Sequence, residues 1–266
     1  MFDLVDTHCH LDCEPLAGGV DAVLARARAA GVGHCLWVGT TVETSRLAVA
    51  GSRRHPMLRA SVGVHPHDAE SVTDATFAEL DALAEDPCVA AIGEVGLDYY
   101  RQHAAPERQL SALRGFLALA RRRNLPLALH CREAHRPMLD VLGESGGTVR
   151  GIIHCASGPP EFIREAVALG LHISFSGTVT FPNAHATRQL VPLVPDERLL
   201  VETDAPFLSP QPVRGQPNEP AHVAHTAAAI AALRGMTTGA LAVLTGRNAR
   251  ALLGFPSVGA DGPRET

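Results

Sequence analysis

Eight short apolar runs, set at intervals along the chain with helical stretches between them, limit what this sequence can become more than any other feature. They fall at residues 4–8, 35–39, 58–64, 89–95, 125–130, 151–154, 171–175 and 199–203. Each is rich in Val, Ile, Leu and Ala, and several lack polar alternation, the pattern of parallel strands buried on both faces. Between them Val20, Val23, Leu24 and Ala27 repeat with helical spacing. Leu110, Leu113, Leu117 and Ala120 do the same after Pro106, a residue suited to a first helical turn. Further helices are expected over 44–50, 77–83, 138–142, 162–169 and 187–194. Two more follow a proline-rich loop at 206–220 and end near Leu253. Strand and helix alternating through right-handed crossovers leave a doubly wound sheet or a barrel. Polar residues gathered where the runs end favour the barrel, whose sites lie at that rim.

The length of 266 residues suits one TIM-type (β/α)8 barrel of about 250 residues. No linker or composition shift divides the chain, so residues 1–255 are expected to form one barrel domain. Residues 256–266 hold Gly, Pro and charge with nothing to bury, and are expected to be a mobile tail.

His8 and His10 follow the first run. Side chains alternate faces along a strand, so positions i and i+2 point the same way and can grip one ion. Glu94, His130, His154 and Asp204 end later runs, at steps of 84, 36, 24 and 50 residues from His10 onward. At roughly 30 residues per strand-and-helix unit these are about three, one, one and two units, which puts all six at one rim. Four imidazoles and two carboxylates could hold two divalent cations per chain, and imidazole suits Zn, Mn or Ni better than Mg, although Mg could still support activity. A consistent division sets His8, His10, Glu94 and Asp204 around one ion and Glu94, His130 and His154 around the other. Such ions lower the pKa of bound water to about 7. Asp204 is the expected proton acceptor, and Glu94 the bridge. Singly, Glu94 could cap a turn, and Asp204 before Ala205-Pro206 could be a turn residue. The joint pattern points to a metal centre.

Weaker candidates surround these six. His65 and His67 end the third run at the same rim, and His65 is expected to bind substrate. Arg132, two residues after His130, could meet an anionic oxygen with its planar fork. Glu202 is expected to orient a ligand from behind. Arg121, Arg122 and Arg123 read as a solvated helix end favoured by the dipole.

Composition removes several classes. All 23 basic residues are arginine. Without lysine there is no P-loop, no Schiff base and no carbamylated lysine to bridge two metals. The net charge of −5 leaves no general basic footprint for coating nucleic acid, yet a local cationic site could still hold phosphates. Cys9, Cys131 and Cys155 each follow a candidate ligand and are expected to be buried thiols facing the strand–helix layer. No secretory signal and no membrane-length apolar run is evident, so the expectation is a cytoplasmic protein without a membrane or a stable protein partner.

These residues resemble the TatD-related metal-dependent deoxyribonucleases. The matching segments are Asp6-Thr7-His8-Cys9-His10-Leu11-Asp12, Gly63-Val64-His65-Pro66-His67 and Ile92-Gly93-Glu94-Val95-Gly96-Leu97-Asp98-Tyr99-Tyr100. They continue with His130-Cys131-Arg132-Glu133-Ala134, His154-Cys155, Leu200-Val201-Glu202-Thr203-Asp204-Ala205-Pro206, Arg214-Gly215 and Asn218-Glu219-Pro220. The likeness implies a TIM-type barrel, and a phosphodiesterase acting on DNA, often as an exonuclease on single-stranded 3′ ends. It also implies metal-ligand roles for His8, His10, Glu94, His130, His154 and Asp204. The chain departs from the family at Ala156, where an aromatic is usual, at Pro182-Asn183-Ala184-His185, where lysines are common, and at Cys13-Glu14-Pro15-Leu16. The first change removes a candidate stacking surface and the second weakens contact with a phosphate backbone.

The leading expectation is therefore metal-activated hydrolysis of a phosphodiester. The same ligand set could serve an amidohydrolase-like lactonase, amidase or aminoacyl-tRNA ester deacylase, because carbonyl and phosphorus chemistry both need a Lewis acid and activated water. A binding module without turnover is the third reading, and a proton acceptor already in place at Asp204 counts against it.

Overall fold

The computed structural model describes residues 4–16, 19–101, 103–144 and 146–256. Eight strands form one sheet in sequence order, each parallel to the next. They are β1 (Leu4–Cys9), β2 (Val32–Val38), β3 (Leu58–Val62), β4 (Val89–Asp98), β5 (Leu127–Arg132), β6 (Gly151–Ile153), β7 (His172–Phe175) and β8 (Leu199–Val201). The ring closes beyond β8. There Cys9 bridges Ala205 in parallel register, Asp204 N donates to His8 O at 2.9 Å, and His10 N donates to Ala205 O at 2.7 Å. The buried Asp6 carboxylate strengthens this seam. It accepts the Thr203 amide at 2.8 Å and the Thr203 hydroxyl at 2.6 Å.

Seven helices fill the crossovers: α1 (Val20–Ala29), α2 (Val42–Arg54), α3 (Asp74–Leu83), α4 (Pro106–Arg123), α5 (His135–Gly143), α6 (Pro160–Ala168) and α7 (His185–Leu190). After β8 come α8 (Val223–Arg234) and α9 (Thr238–Leu253). The fold is a TIM-type (β/α)8 barrel. Local chemistry sets the helix ends. Thr41 and Thr73 each cap a helix through reciprocal bonds with the threonine three residues on. Pro106 opens α4, and Asn124, left-handed at φ 52°, ends it. The inner face of α4 buries Leu113, Phe116 and Leu117, each worth roughly 2 kcal/mol of apolar burial. Leu252, Leu253 and Phe255 pack with Val5, Leu36 and Leu200, and Phe255 stacks on His34 near the start of β2. The end of α9 therefore closes the bottom of the barrel and leaves the opposite rim open.

Several boundaries differ from the sequence expectation. β4 runs on to Asp98 and β5 to Arg132, so Glu94 and His130 lie inside strands rather than at their ends. The helix expected over 187–194 is α7 followed by a separate 3-10 turn, Val191–Leu193, because Pro192 has no amide proton for a continuing ladder. β8 stops at Val201, three residues before Asp204. The tail expected at 256–266 lies, apart from Pro256, outside the described residues. No single helix among the described residues is long and apolar enough to cross a membrane.

Glycines of β4 let the site's strands approach closely, Gly96 most of all. Gly96 of β4 has φ +149°, and a Cβ there would stand 2.0 Å from the carbonyl oxygen of His130. Gly96→Ala is expected to lower stability by roughly 2 kcal/mol or more, since β4 and β5 must part at the metal centre. A urea titration measures this directly, and an unchanged midpoint would contradict the close approach.

Candidate metal centre

Glu94 lies at the middle of the open rim with its two oxygens facing different histidine groups. Oε2 is 3.3 Å from His8 Nε2 and 3.6 Å from His10 Nε2. Oε1 is 2.9 Å from His130 Nδ1, 3.0 Å from His154 Nε2 and 3.5 Å from His65 Nε2. Asp204 completes the first group, with Oδ1 3.5 Å from His10 Nε2 and 3.8 Å from His8 Nε2. All six residues singled out from the sequence thus meet in one cluster, and Glu94 spans its two halves.

The outer partners decide where the imidazole lone pairs point. His10 Nδ1 is 3.1 Å from the Val38 carbonyl, which can only accept, so Nδ1 carries the proton and Nε2 offers a lone pair inward. His154 Nδ1 is held at 3.2 Å by Glu202 Oε1, the oxygen that also accepts the Cys155 amide at 2.7 Å. His130 Nε2 is held at 3.2 Å by Asp98 Oδ2. His65 is wired the other way. Its Nδ1 accepts the His67 amide at 3.2 Å, so its Nε2–H donates towards Glu94. Burial pushes the His65 pKa down to about 3, so the ring is a neutral donor beside the cluster.

The lone pairs and carboxylates together call for a cation. His8 Nε2 and His10 Nε2 face each other at 3.2 Å, an arrangement of acceptors that only protons or a metal ion can satisfy. Burial works against charge on His10, but hydrogen bonding to Asp204 and the charges of Glu94 and Asp204 raise its pKa to about 9. Burial likewise opposes charge on His154, and Glu94 and Glu202 outweigh it, raising its pKa well above the ordinary histidine value. Burial raises the Glu94 pKa, yet the positive charge of His154 and the hydrogen bond with His130 hold it well below the ordinary carboxylate value. Asp204 is lowered for the same reasons, with His10 the main partner against burial. The pocket is thus arranged for concentrated positive charge, and among the described residues no arginine takes part in its ion pairs. Ligand atoms of His8, His10 and Asp204 lie within 4.8 Å of one another, as do those of His65, Glu94 and His130 and those of His8, His154 and Glu202. The donor set fits divalent metal held by imidazole and carboxylate.

The centre opens on a cleft of about 560 Å³ whose walls include Arg132, Ala156, Thr178 and Phe207. Arg132 ends β5 with its guanidinium 4.0 Å above the Tyr100 ring. Asp98 was not singled out from the sequence. Its buried carboxylate holds His130, accepts the Tyr100 amide through Oδ1 at 3.0 Å, and pairs with His67 Nε2 at 2.9 Å. The available signal was its place four residues after Glu94, on the same face once the strand continues. Cys9 and Cys131 are buried as expected, and all six cysteines are free thiols. Cys155 departs from that expectation. It is only partly buried, has φ +44° and lines the cleft, because β6 ends at Ile153 and strand alternation no longer governs it.

Known proteins carry the same scaffold over the same span. The family described as TatD related DNase matches residues 5–254. The chain is 38% identical over 250 residues to the uncharacterized metal-dependent hydrolase YabD of Bacillus subtilis, covering 94% of this chain and 98% of that protein. It is 39% identical over 259 residues to the 3'-5' ssDNA/RNA exonuclease TatD of Erwinia amylovora, covering 95% and 100%. The crystal structure of the TatD homolog YjjV from Escherichia coli K12 superposes with a TM-score of 0.90 at 33% identity, over 95% of this chain and 98% of that one. With fold and sequence in agreement along nearly its whole length, the chain belongs to the TatD family of metal-dependent hydrolases.

Proposed function

We propose that the chain is a 3′–5′ exonuclease hydrolysing phosphodiester bonds at the ends of single-stranded DNA or RNA. Residues 1–255 would act as one catalytic unit in the cytoplasm, where six free thiols persist. The observation that carries this reading is Glu94, its two oxygens turned to two separate histidine groups, beside an open cleft lined by His130, His154 and Asp204. Relatives named as single-strand exonucleases support the substrate class.

His8, His10, Glu94 and Asp204 would hold one divalent cation, and Glu94, His130 and His154 a second, with Zn, Mn or Ni best suited and Mg possible at weaker affinity. Bound there, such ions supply Lewis acidity and an activated water. Asp204 is ionised, stands at the cleft side of the cluster, and accepts the proton of the attacking water. Arg132, with no ion-pair partner among the described residues, binds a phosphate oxygen on the cleft wall. His65 donates to Glu94, which fixes the carboxylate, and contacts substrate from the same side. The test is a metal-loaded preparation offered single strands labelled at one end. Stepwise loss from the 3′ end supports the reading. Inertness toward all strands, with turnover of lactones or aminoacyl esters, overturns it.

Glu202 would hold His154 in its ligating tautomer. Glu202→Gln is expected to weaken metal affinity roughly 10- to 100-fold, read by competition with a chromogenic chelator. An unchanged affinity would leave Glu202 a structural role only.

A further inference from the structure

Among the described residues, Phe207 and Tyr100 are the aromatic members of the exposed large apolar side chains, at 54% and 57% exposure. Phe207 lines the cleft at the metal centre, Tyr100 packs against the cleft residue Arg132, and both are anchored to the centre through the backbone. The Phe207 amide donates to the Asp204 carbonyl at 2.8 Å, and its own carbonyl accepts Asn218 Nδ2 at 2.6 Å. Asn218 is itself fully buried and also bonds the Thr203 carbonyl. The Tyr100 amide donates to Asp98, the carboxylate that holds His130. Leaving two aromatic rings in water on rigid supports has a cost that folding alone does not require. The Phe207 ring lies 6.1 Å from the His10 ring, tilted by 62°, and lines the cleft. Tyr100 carries on its face the guanidinium of Arg132, which lines the same cleft, so ring and cation form a flat surface at its edge. Ala156, buried on the cleft wall, adds no ring and leaves room beside them.

We infer that these two rings are base-stacking shelves for the 3′ end of a single strand, Phe207 taking the terminal base and the Arg132-capped Tyr100 the base before it. The inference rests on the nuclease reading and names what that site recognises. Stacking tolerates any base, because every base has a π-face, while the arginine adds charge against the backbone. The shelves thus place the last phosphodiester over Glu94 and Asp204 without reading sequence.

The test uses the metal-loaded full chain and short oligothymidylates whose last residue is either intact or abasic. Phe207→Ala is expected to raise KM for the intact end roughly 10- to 100-fold with little change in kcat. The preference for an intact over an abasic end should collapse. Phe207→Tyr should restore both. Tyr100→Ala should remove sensitivity to an abasic residue at the penultimate position instead. Val243→Ala, an exposed apolar truncation elsewhere on the surface, serves as the control. Independently of turnover, a phosphorothioate oligonucleotide ending in 2-aminopurine should lose fluorescence on binding the wild type and the tyrosine variant but not Phe207→Ala. Equal quenching by wild type and Phe207→Ala, or an unaltered preference for the intact end, overturns the shelf. Quenching without cleavage by the wild type would instead sink the nuclease reading and leave the shelf standing.

Discussion

Glu94→Gln should lose at least one equivalent of bound metal per chain and lower kcat by roughly 10³-fold or more, while the barrel remains folded. The reasoning starts from the two oxygens. Each faces its own pair of imidazole nitrogens at 2.9 to 3.6 Å. Glutamine is nearly isosteric, but it has one oxygen and an NH2 group. Whichever way the amide turns, two N–H donors point at one pair of imidazoles. That half of the centre then gains donors where a cation needs acceptors, and the whole centre loses a negative charge. Burial explains why the loss is large. Glu94 is 3% exposed, so water cannot replace the missing oxygen. The carboxylate also raises the pKa of His154 and His10. Without it both rings should protonate less readily, and metal uptake should release fewer protons. Elemental analysis of the purified variant, with kcat on a labelled single strand, checks both halves. An undiminished metal count would remove Glu94 from the ligand set.

How far this centre was legible in the sequence depends on the type of each residue's neighbours. His8 and His10 stand out because two polar residues at i and i+2 interrupt an apolar run, and strand geometry forces them onto one face. His130 and Glu94 were singled out as polar residues ending apolar runs, although both lie within strands that continue past them. Asp98 was missed because Gly96 resembles a loop residue. In the fold Gly96 instead lets β4 pass close to His130 and carries the strand on to Asp98. Cys155 was misplaced for the converse reason, since the strand ends before it. The tautomer of His65 had no sequence signal at all. It depends on an amide two residues away whose direction is set by the 3-10 turn starting at Pro66. Phe207 was hidden in a proline-rich segment, where apolar character says nothing about exposure. Periodicity therefore carried the barrel and the inner cluster of candidate ligands. The outer partners depend on where strands stop, which sequence patterns mark least well.

Asp204→Asn should lower turnover roughly 10³-fold, the scale of a lost proton acceptor, while the melting temperature stays close to that of the wild type. The backbone makes asparagine the informative replacement. Asp204 has φ +58°, in the left-handed region that asparagine and aspartate tolerate and that Cβ-branched residues resist. Its amide bonds the His8 carbonyl and its carbonyl bonds the Phe207 amide, so the seam closing the barrel passes through this residue. Asparagine keeps the shape, the left-handed turn and both backbone bonds. It removes the charge, one acceptor oxygen facing His8 and His10, and the ability to take up a proton, the property that the depressed pKa of Asp204 keeps available at neutral pH. Asp204→Val would instead strain the seam and shift His8 and Phe207 together, confusing loss of fold with loss of chemistry. The comparison is made on kcat, metal content and thermal midpoint of one preparation. The Asn variant should retain the metal held by His130, His154 and Glu94, because Asp204 faces the His8 and His10 half. Retention of more than about a tenth of wild-type turnover would assign the proton to another group. A large fall in thermal midpoint would show that the Asp204 charge holds the seam as well as the site.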